Sequence, residues 1–309
     1  MSSLSGLGPI IVTPQVMTQQ FVDNLTADQA TLAHLENEIS TGNAVNVPSD
    51  NPTAAANILQ LQSAITRANQ YATNSQTGVS KLSLANSTVN SILDVLQQLN
   101  SAVTGISGAD LTGNPAAIAA VAQEVTSAQS QLVNLANTQY AGEAIFSGTG
   151  NPQTAYDQNG NYLGAGNAPT TTVAPGTQVA VGVTGPAIFG TGSTGLLGPT
   201  GVLGQIASDL QAGTQAGIQA AQTTGLAALQ SAMQTVETQA AVLGANQQAM
   251  QGFATQATGT VTSLTQELGN LQNVNMAGAI TNLQLQQTTY QAALYATSQL
   301  NTLSLTQYL

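Results

Sequence analysis

Residues 36–56, ENEISTGNAVNVPSDNPTAAA, carry the punctuation from which the fold can be read. Gly42, directly after Thr41, suits the C-terminal cap of a helix, because glycine enters the left-handed region without a steric penalty. Pro48 and Pro52 bar helix in the stretch that follows, and each pushes the residue before it towards extended geometry. Asp50 or Asn51 can then cap a second helix, with Pro52 in the tolerated first turn. The stretch therefore reads as helix, connector, helix.

Working outward, Met17, Phe21, Leu25, Leu32, Leu35 and Ile39 recur mostly at three- and four-residue steps. That periodicity predicts an amphipathic helix from about Gln15 to Thr41. Downstream, Ile58, Leu61, Ile65, Ala68, Ala72, Val79, Leu82, Val89, Ile92, Leu96, Leu99 and Val103 form a stripe at coiled-coil spacing, about a dozen turns long. A break over 105–115 precedes a third helix, from Ala116 to about Tyr140, with Ile118, Val121, Val125, Leu132 and Leu135. Helix resumes near Val202. A long pattern covers 226–268 through Leu229, Met233, Val236, Ala240, Leu243 and Met250. A last helix runs from about Met276 to Thr302, its stripe Ile280, Leu283, Tyr290 and Leu294, with polar Gln287 and Thr297 at two expected positions.

Between the helical ends, residues 148–203 are rich in Gly, Pro, Thr and Val. Runs 170–173 and 178–183 read as strands around a turn at Ala174-Pro175-Gly176. Residues 156–162 read as a hairpin turning at Asn159-Gly160, and 190–201 as linker. Each terminal helix alone offers too little core, so the two should pair with each other or with neighbouring subunits. The expected architecture is mainly α: an elongated coiled-coil rod built by both chain ends, with a small β-rich insert.

Composition narrows the function. Only 5% of the 309 residues are charged, with thirteen acids, two bases and a formal charge of -11. Phosphate-backbone binding needs clustered Lys and Arg, and so does adhesion to anionic membranes. With no cysteine there are no disulfides, thiolate ligands or thiol nucleophiles. No apolar run approaches a membrane span, and the first residues lack the basic region and cleavage site of a secretory signal. Residues 1–13 carry no periodicity and are expected to stay flexible until docked. So few charges are unusual for a cytosolic protein. In an acidic medium bases would add uncompensated repulsion while carboxylates lose charge, so the expectation is a surface facing low pH.

Candidate sites for small-molecule chemistry are thin. His34 and Glu38 lie one helical turn apart, but the chain has no second histidine to complete a metal site. Asp157-Gln158-Asn159-Gly160 starts like a calcium loop, yet Ala168 stands where a bidentate Glu is needed, and a hairpin turn explains it better. Residues 190–201 lack the lysine of a phosphate loop. One histidine and no cysteine leave no nucleophile–base pair. A paired-carboxylate hydrolase using Asp157, Glu143 or Asp209 would need two of them in one cleft. The expectation is no enzyme, no metal and no cofactor. Arg67 and Lys81, the two bases, are read as subunit-contact residues, against simple solubility.

The stretch quoted first resembles the signature of bacterial flagellins and their hook-associated relatives. Ile39, Ser40, Thr41, Gly42, Val45, Asn46, Ser49, Asp50, Pro52, Ala54 and Ala55 match it, and Asn51 departs from it where a second Asp is common. The likeness continues through Leu59, Leu61, Gln62, Asn74 and 84–99. Residues 132–137 and 142–148 (LVNLAN and GEAIFSG), segment 173–189 and the tail 275–309 look like the members that join hook to filament. It is absent over 1–13, and an Arg common near the family's N-terminus is missing.

What the resemblance implies is a secreted, non-enzymatic, self-assembling axial protein, exported by the flagellar type III apparatus. Residues 1–45 with 272–309 would be the inner assembly layer, 46–147 with 204–271 a helical bundle, and 148–203 the β-rich outer insert. Ser40, Thr41, Gly42, Asn46, Ser49, Asp50 and Pro52 would form a connector between layers. Phe21, Leu25, Leu35, Ile280, Leu283, Tyr290 and Leu294 would pack the terminal helices. The implied partners are copies of itself in a ring, hook-associated protein 1 on the hook side, flagellin on the other, and an export chaperone on the C-terminal helix. The alternative within the family is a filament flagellin.

Overall fold

A computed structural model describes residues 14–106, 114–150 and 153–306. The expectations for residues 1–13 and for the last three residues of the tail, 307–309, lie outside the described residues. The chain runs α1 (Pro14–Thr41), α2 (Pro52–Gly105), α3 (Pro115–Ala136), β1 (Gln139–Tyr140), β2 (Glu143–Ala144), β3 (Thr170–Ala174), β4 (Thr177–Ala180), α4 (Gly185–Phe189), α5 (Val202–Gln211), α6 (Gln215–Ala220), α7 (Leu226–Gln272) and α8 (Met276–Thr306). The fold is mainly α, with two small antiparallel strand pairs, β1–β2 and β3–β4. No described helix is long and apolar enough to cross a membrane.

Residues 1–65 with 262–309 form one compact unit and residues 66–261 another. In the first, α1 packs along α8. In the second, α2 buries Leu82, Ala85, Val89, Ile92, Leu96, Leu99 and Val103, an unbroken alternation of three- and four-residue steps. From α7, Leu229, Val236, Leu243 and Met250 enter the same core at strict seven-residue intervals. A seven-residue repeat keeps one seam facing its partners along a helix, which is why two helices of 54 and 47 residues can share one core. Gly78 lies on the α2 seam, where a Cβ would come 2.6 Å from Met250 Cε and 3.1 Å from Val181 Cγ1. Glycine thus lets the segment just after β4 and α7 meet on α2.

Two expectations are corrected. The third helix stops at Ala136 rather than near Tyr140. Asn137 caps it, donating its backbone N–H to the Val133 carbonyl at 3.1 Å, while its side chain leaves to hold the insert. Residues 190–201 are not linker. Leu196 and Leu197 are buried in the core, and the Leu196 and Val202 N–H groups donate to the carbonyls of Phe189 and Gly195 at 2.6 and 2.8 Å. The glycines there permit close backbone packing that composition alone mimics with looseness. As expected, helix resumes at Val202 and the long helix starts at Leu226; between α5 and α7 lie α6 and a π-helical turn, Ala221–Gly225. The turn sets Gly225 against Ile206 of α5, where a Cβ would come within 2.6 Å of Ile206 Cγ1.

The insert hangs on the segment 145–148. Phe146 is fully buried with its ring edge-on to Phe189 at 6.2 Å, and its carbonyl accepts from Gly185 N–H at 2.8 Å and Tyr162 O–H at 3.2 Å. Gly148, at φ +74°, has its Cβ position 2.6 Å from the Ala165 carbonyl, so only glycine passes. Residues 156–162 form the expected hairpin, with Tyr156 bridged to Tyr162 and Gly160 at φ +79°.

Candidate functional site

The connector between α1 and α2 is held from both sides. Gly42, at φ +73°, donates its N–H to the Glu38 carbonyl at 2.8 Å, closing α1. Thr41 Oγ1 donates to the Asn37 carbonyl at 2.8 Å and accepts the Asn43 N–H at 3.2 Å. Asn46 Nδ2 donates to the Asn43 carbonyl at 3.1 Å. Asp50 Oδ2 accepts the N–H groups of Asn46 and Val47, both at 2.9 Å. Asn51 Oδ1 accepts the Ala54 N–H at 3.0 Å and so caps α2. Of the two candidate caps, then, Asn51 does the capping, because Asp50 is committed inside the loop. Pro52 opens α2, and Ser40 and Ser49 are exposed at the surface.

A second connector lies against the first. Ala44 N–H donates to the Gln272 carbonyl at 2.7 Å, and Val274 N–H to the Gly42 carbonyl at 2.9 Å. Asn43 and Asn273 form an antiparallel bridge. Asn275 then caps α8 as Asn51 caps α2, its Oδ1 accepting the Gly278 N–H at 3.2 Å. Sequence reasoning missed this pairing. Asn273 and Asn275 were its visible signal, since asparagine favours turns and caps.

Electrostatics concentrate at Asp50. His34 Nε2 lies 3.3 Å from Asp50 Oδ1, and His34 Nδ1 lies 3.4 Å from Glu38 Oε1. The Val47 N–H first, the Asn46 N–H next and His34 after them hold the Asp50 carboxyl below the usual carboxylate range. Each stabilises the ionised form. The described residues contain no group of three or more His, Cys, Asp or Glu suited to a metal ion.

Along the terminal pair, α1 turns Phe21, Leu25, Asp28, Leu32, Leu35 and Ile39 inward to half-burial. On α8 the matching half-buried positions are Leu283, Gln286, Tyr290, Ala293 and Thr297, with Ala279 buried at their head. Ile280 and Leu294, expected on that stripe, are instead 45% and 44% exposed. Gln286, not Gln287, carries the polar layer. It donates to Asp28 Oδ1 at 2.8 Å, and Gln29 donates to the Tyr290 hydroxyl at 2.6 Å. Small Ala279 and Ala293 hid the true seam, since alanine carries little hydrophobic signal.

Paired terminal helices, a glycine-closed connector and a small β insert between long heptad helices define a class of mainly helical proteins whose two chain ends pack together. The bacterial flagellin N-terminal helical region matches residues 12–151, and the flagellin C-terminal helical region matches residues 226–309. This chain belongs to the bacterial flagellin family.

Within it, the chain is similar to flagellar hook-associated protein 3. It is 26% identical to the Escherichia coli protein over 313 residues, covering 95% of this chain and 98% of that one. To the Salmonella typhimurium protein it is 29% identical over 180 residues, 58% of this chain and just over half, 56%, of that protein. A solved flagellar hook-associated protein from Vibrio parahaemolyticus shares the fold at TM-score 0.64 and 20% identity, covering 72% of this chain and 100% of that one.

Proposed function

We propose that this chain is a structural, non-enzymatic protein of the bacterial flagellum that forms the junction between hook and filament. The observation that carries the reading is the terminal helix pair. Its seam is closed by half-buried, partly polar layers, while Met276, Ile280, Leu294 and Tyr295 on α8 stay 44–68% exposed. Apolar side chains left on a helix already paired once mark a surface for further association. Relatives named hook-associated protein 3 support the junction over the filament role.

On this reading, residues 1–45 with 272–309 are the assembly layer, 46–147 with 204–271 the bundle, and 148–203 the outward insert. The chain is secreted through the flagellar type III apparatus, with an export chaperone on the C-terminal helix. It then stands as a ring between hook-associated protein 1 and flagellin. Immunogold labelling confined to the distal end of the hook tests this. Labelling along the whole filament would instead establish a filament flagellin. A hook-associated protein 1 gene directly upstream would separate the two without microscopy.

The low charge fits an acidic exterior. Purified assemblies that fall apart at about pH 3 while holding at neutrality would remove that part of the reading.

A further inference from the structure

The chain's one histidine sits where neither of its ring nitrogens faces water alone. Nδ1 meets Glu38 Oε1 at 3.4 Å on the next turn of α1, and Nε2 meets Asp50 Oδ1 at 3.3 Å across the connector. A neutral imidazole has a single N–H. With two carboxylates opposed, one nitrogen must then present a lone pair to an anion. An imidazolium donates from both nitrogens and satisfies both carboxylates, in charge-assisted hydrogen bonds. We propose that His34 is a pH-operated clamp: protonation closes Glu38–His34–Asp50 and ties the last turns of α1 to the connector that leads into α2.

The neighbouring structure makes this clamp consequential. Asp50 has only 11% of its side chain exposed, and its other oxygen holds the Asn46 and Val47 N–H groups. Fixing Oδ1 therefore steadies the carboxylate on which the loop's backbone hangs. Asn46 is in turn tied to Asn43, the residue bridged to Asn273 between α7 and α8. The clamp thus acts on both connectors.

Glu38 on α1 and Asp50 in the connector are the acids that face the ring. No other described carboxylate forms an ion pair with it. Helix α8 has no Asp, Glu, Lys, Arg or His in its sequence, and Glu267 near the end of α7 forms no ion pair with His34. Two limits follow. The clamp opens when the ring gives up its second N–H proton, because one nitrogen then turns a lone pair towards a carboxylate. It opens again under strong acid, when the carboxylates themselves take up protons.

The test is amide hydrogen exchange of the full chain at pH 5.5 and 7.5, with intrinsic rates corrected for pH. Protection of the Asn46 and Val47 amides should rise about two- to fivefold at the lower pH, the range that an exposed ion pair gives. His34→Gln should remove the difference by leaving no titratable ring. His34→Arg, a permanent cation, should keep protection high at both pH values. Equal wild-type protection at the two pH values overturns the proposal, and so does a pH difference that survives in His34→Gln. Far-ultraviolet circular dichroism of each variant confirms that the helices are intact.

Discussion

Asn137 and Tyr156 exchange two hydrogen bonds. The Asn137 side-chain amide donates to the Tyr156 carbonyl at 2.9 Å, and its carbonyl oxygen accepts the Tyr156 N–H at 2.8 Å. One side chain thereby replaces a strand, pairing the backbone of the buried hairpin residue to the end of α3. The same residue caps that helix, so the bundle's stop signal is also the insert's anchor.

Asn137→Ala leaves both Tyr156 backbone groups without partners. Loss of about 2–4 kcal/mol is expected, from two unsatisfied part-buried groups at about 1–3 kcal/mol each with partial rehydration. Asn137→Asp keeps the acceptor but loses the donor and should fall between. Chemical denaturation measures both, with the exchange of amides 155–162 locating the loss. A change under about 0.5 kcal/mol for Asn137→Ala would refute the anchor.

The two faces of the long helices should respond oppositely to truncation. Leu96→Ala and Leu243→Ala remove fully buried seam residues and should cost about 2–5 kcal/mol each. Ile280→Ala and Leu294→Ala, on exposed positions, should change folding stability by less than about 0.5 kcal/mol. They should nevertheless impair incorporation into flagella and swimming. Normal swimming with both α8 substitutions would argue against that face as an assembly surface.

Gly42→Ala isolates backbone strain. Nothing lies within 4 Å of a Cβ at this position, yet φ is +73°. The cost is therefore conformational alone, about 1 kcal/mol, with no clash to relieve. Thermal unfolding of the variant should show that modest loss. A stabilised variant would mean that the left-handed cap is not kept in solution.

Acid sensitivity should concentrate in two loops. Asp50 is held below the usual range as described, and Asp157 chiefly by the Asn161 side chain and then its N–H. A depressed folded pKa means stability that is present above the unfolded value of 3.8 and lost as pH falls through the lower folded value. Thermal midpoints measured down to about pH 2 should fall less steeply in an Asp50→Asn, Asp157→Asn double variant. An unchanged acid slope would place the sensitivity elsewhere.

Alkali should act through the insert. Burial first, then the neighbouring Tyr162, raises the Tyr156 phenol well above its ordinary 10.0, and burial raises Tyr162. Raised folded values mean stability that is complete below the unfolded pKa and lost as pH rises through the folded one. Absorbance at the phenolate band should show two of the seven tyrosines ionising late. Their ionisation should coincide with loss of insert structure. Tyr162→Phe should leave one late tyrosine.

Much of the bundle was legible because its evidence is periodic and local. The α2 stripe from Ile58 to Val103, the glycine stop at 42 and the Pro175-Gly176 hairpin are each written in neighbouring residues. The α8 seam was less so. Ile280 and Leu294 outweigh Ala279 and Ala293 in hydrophobicity, so a stripe drawn by apolarity is rotated from the one that packs. Segment 190–201 has the composition of a linker, and only its burial distinguishes a tight glycine-rich turn from a loose one.

The sequence by itself determined where α1 stops and α2 starts, the heptad faces of α2 and α7, and the low charge. Those properties depend on side chains within a turn or two of one another. Only the tertiary structure decided that Asn43 pairs with Asn273, that Asn137 holds Tyr156, and that His34 lies between Glu38 and Asp50. The first two depend on residues far apart in the chain meeting at one place, and the third on a bend in the loop. No local spacing encodes where such a meeting falls.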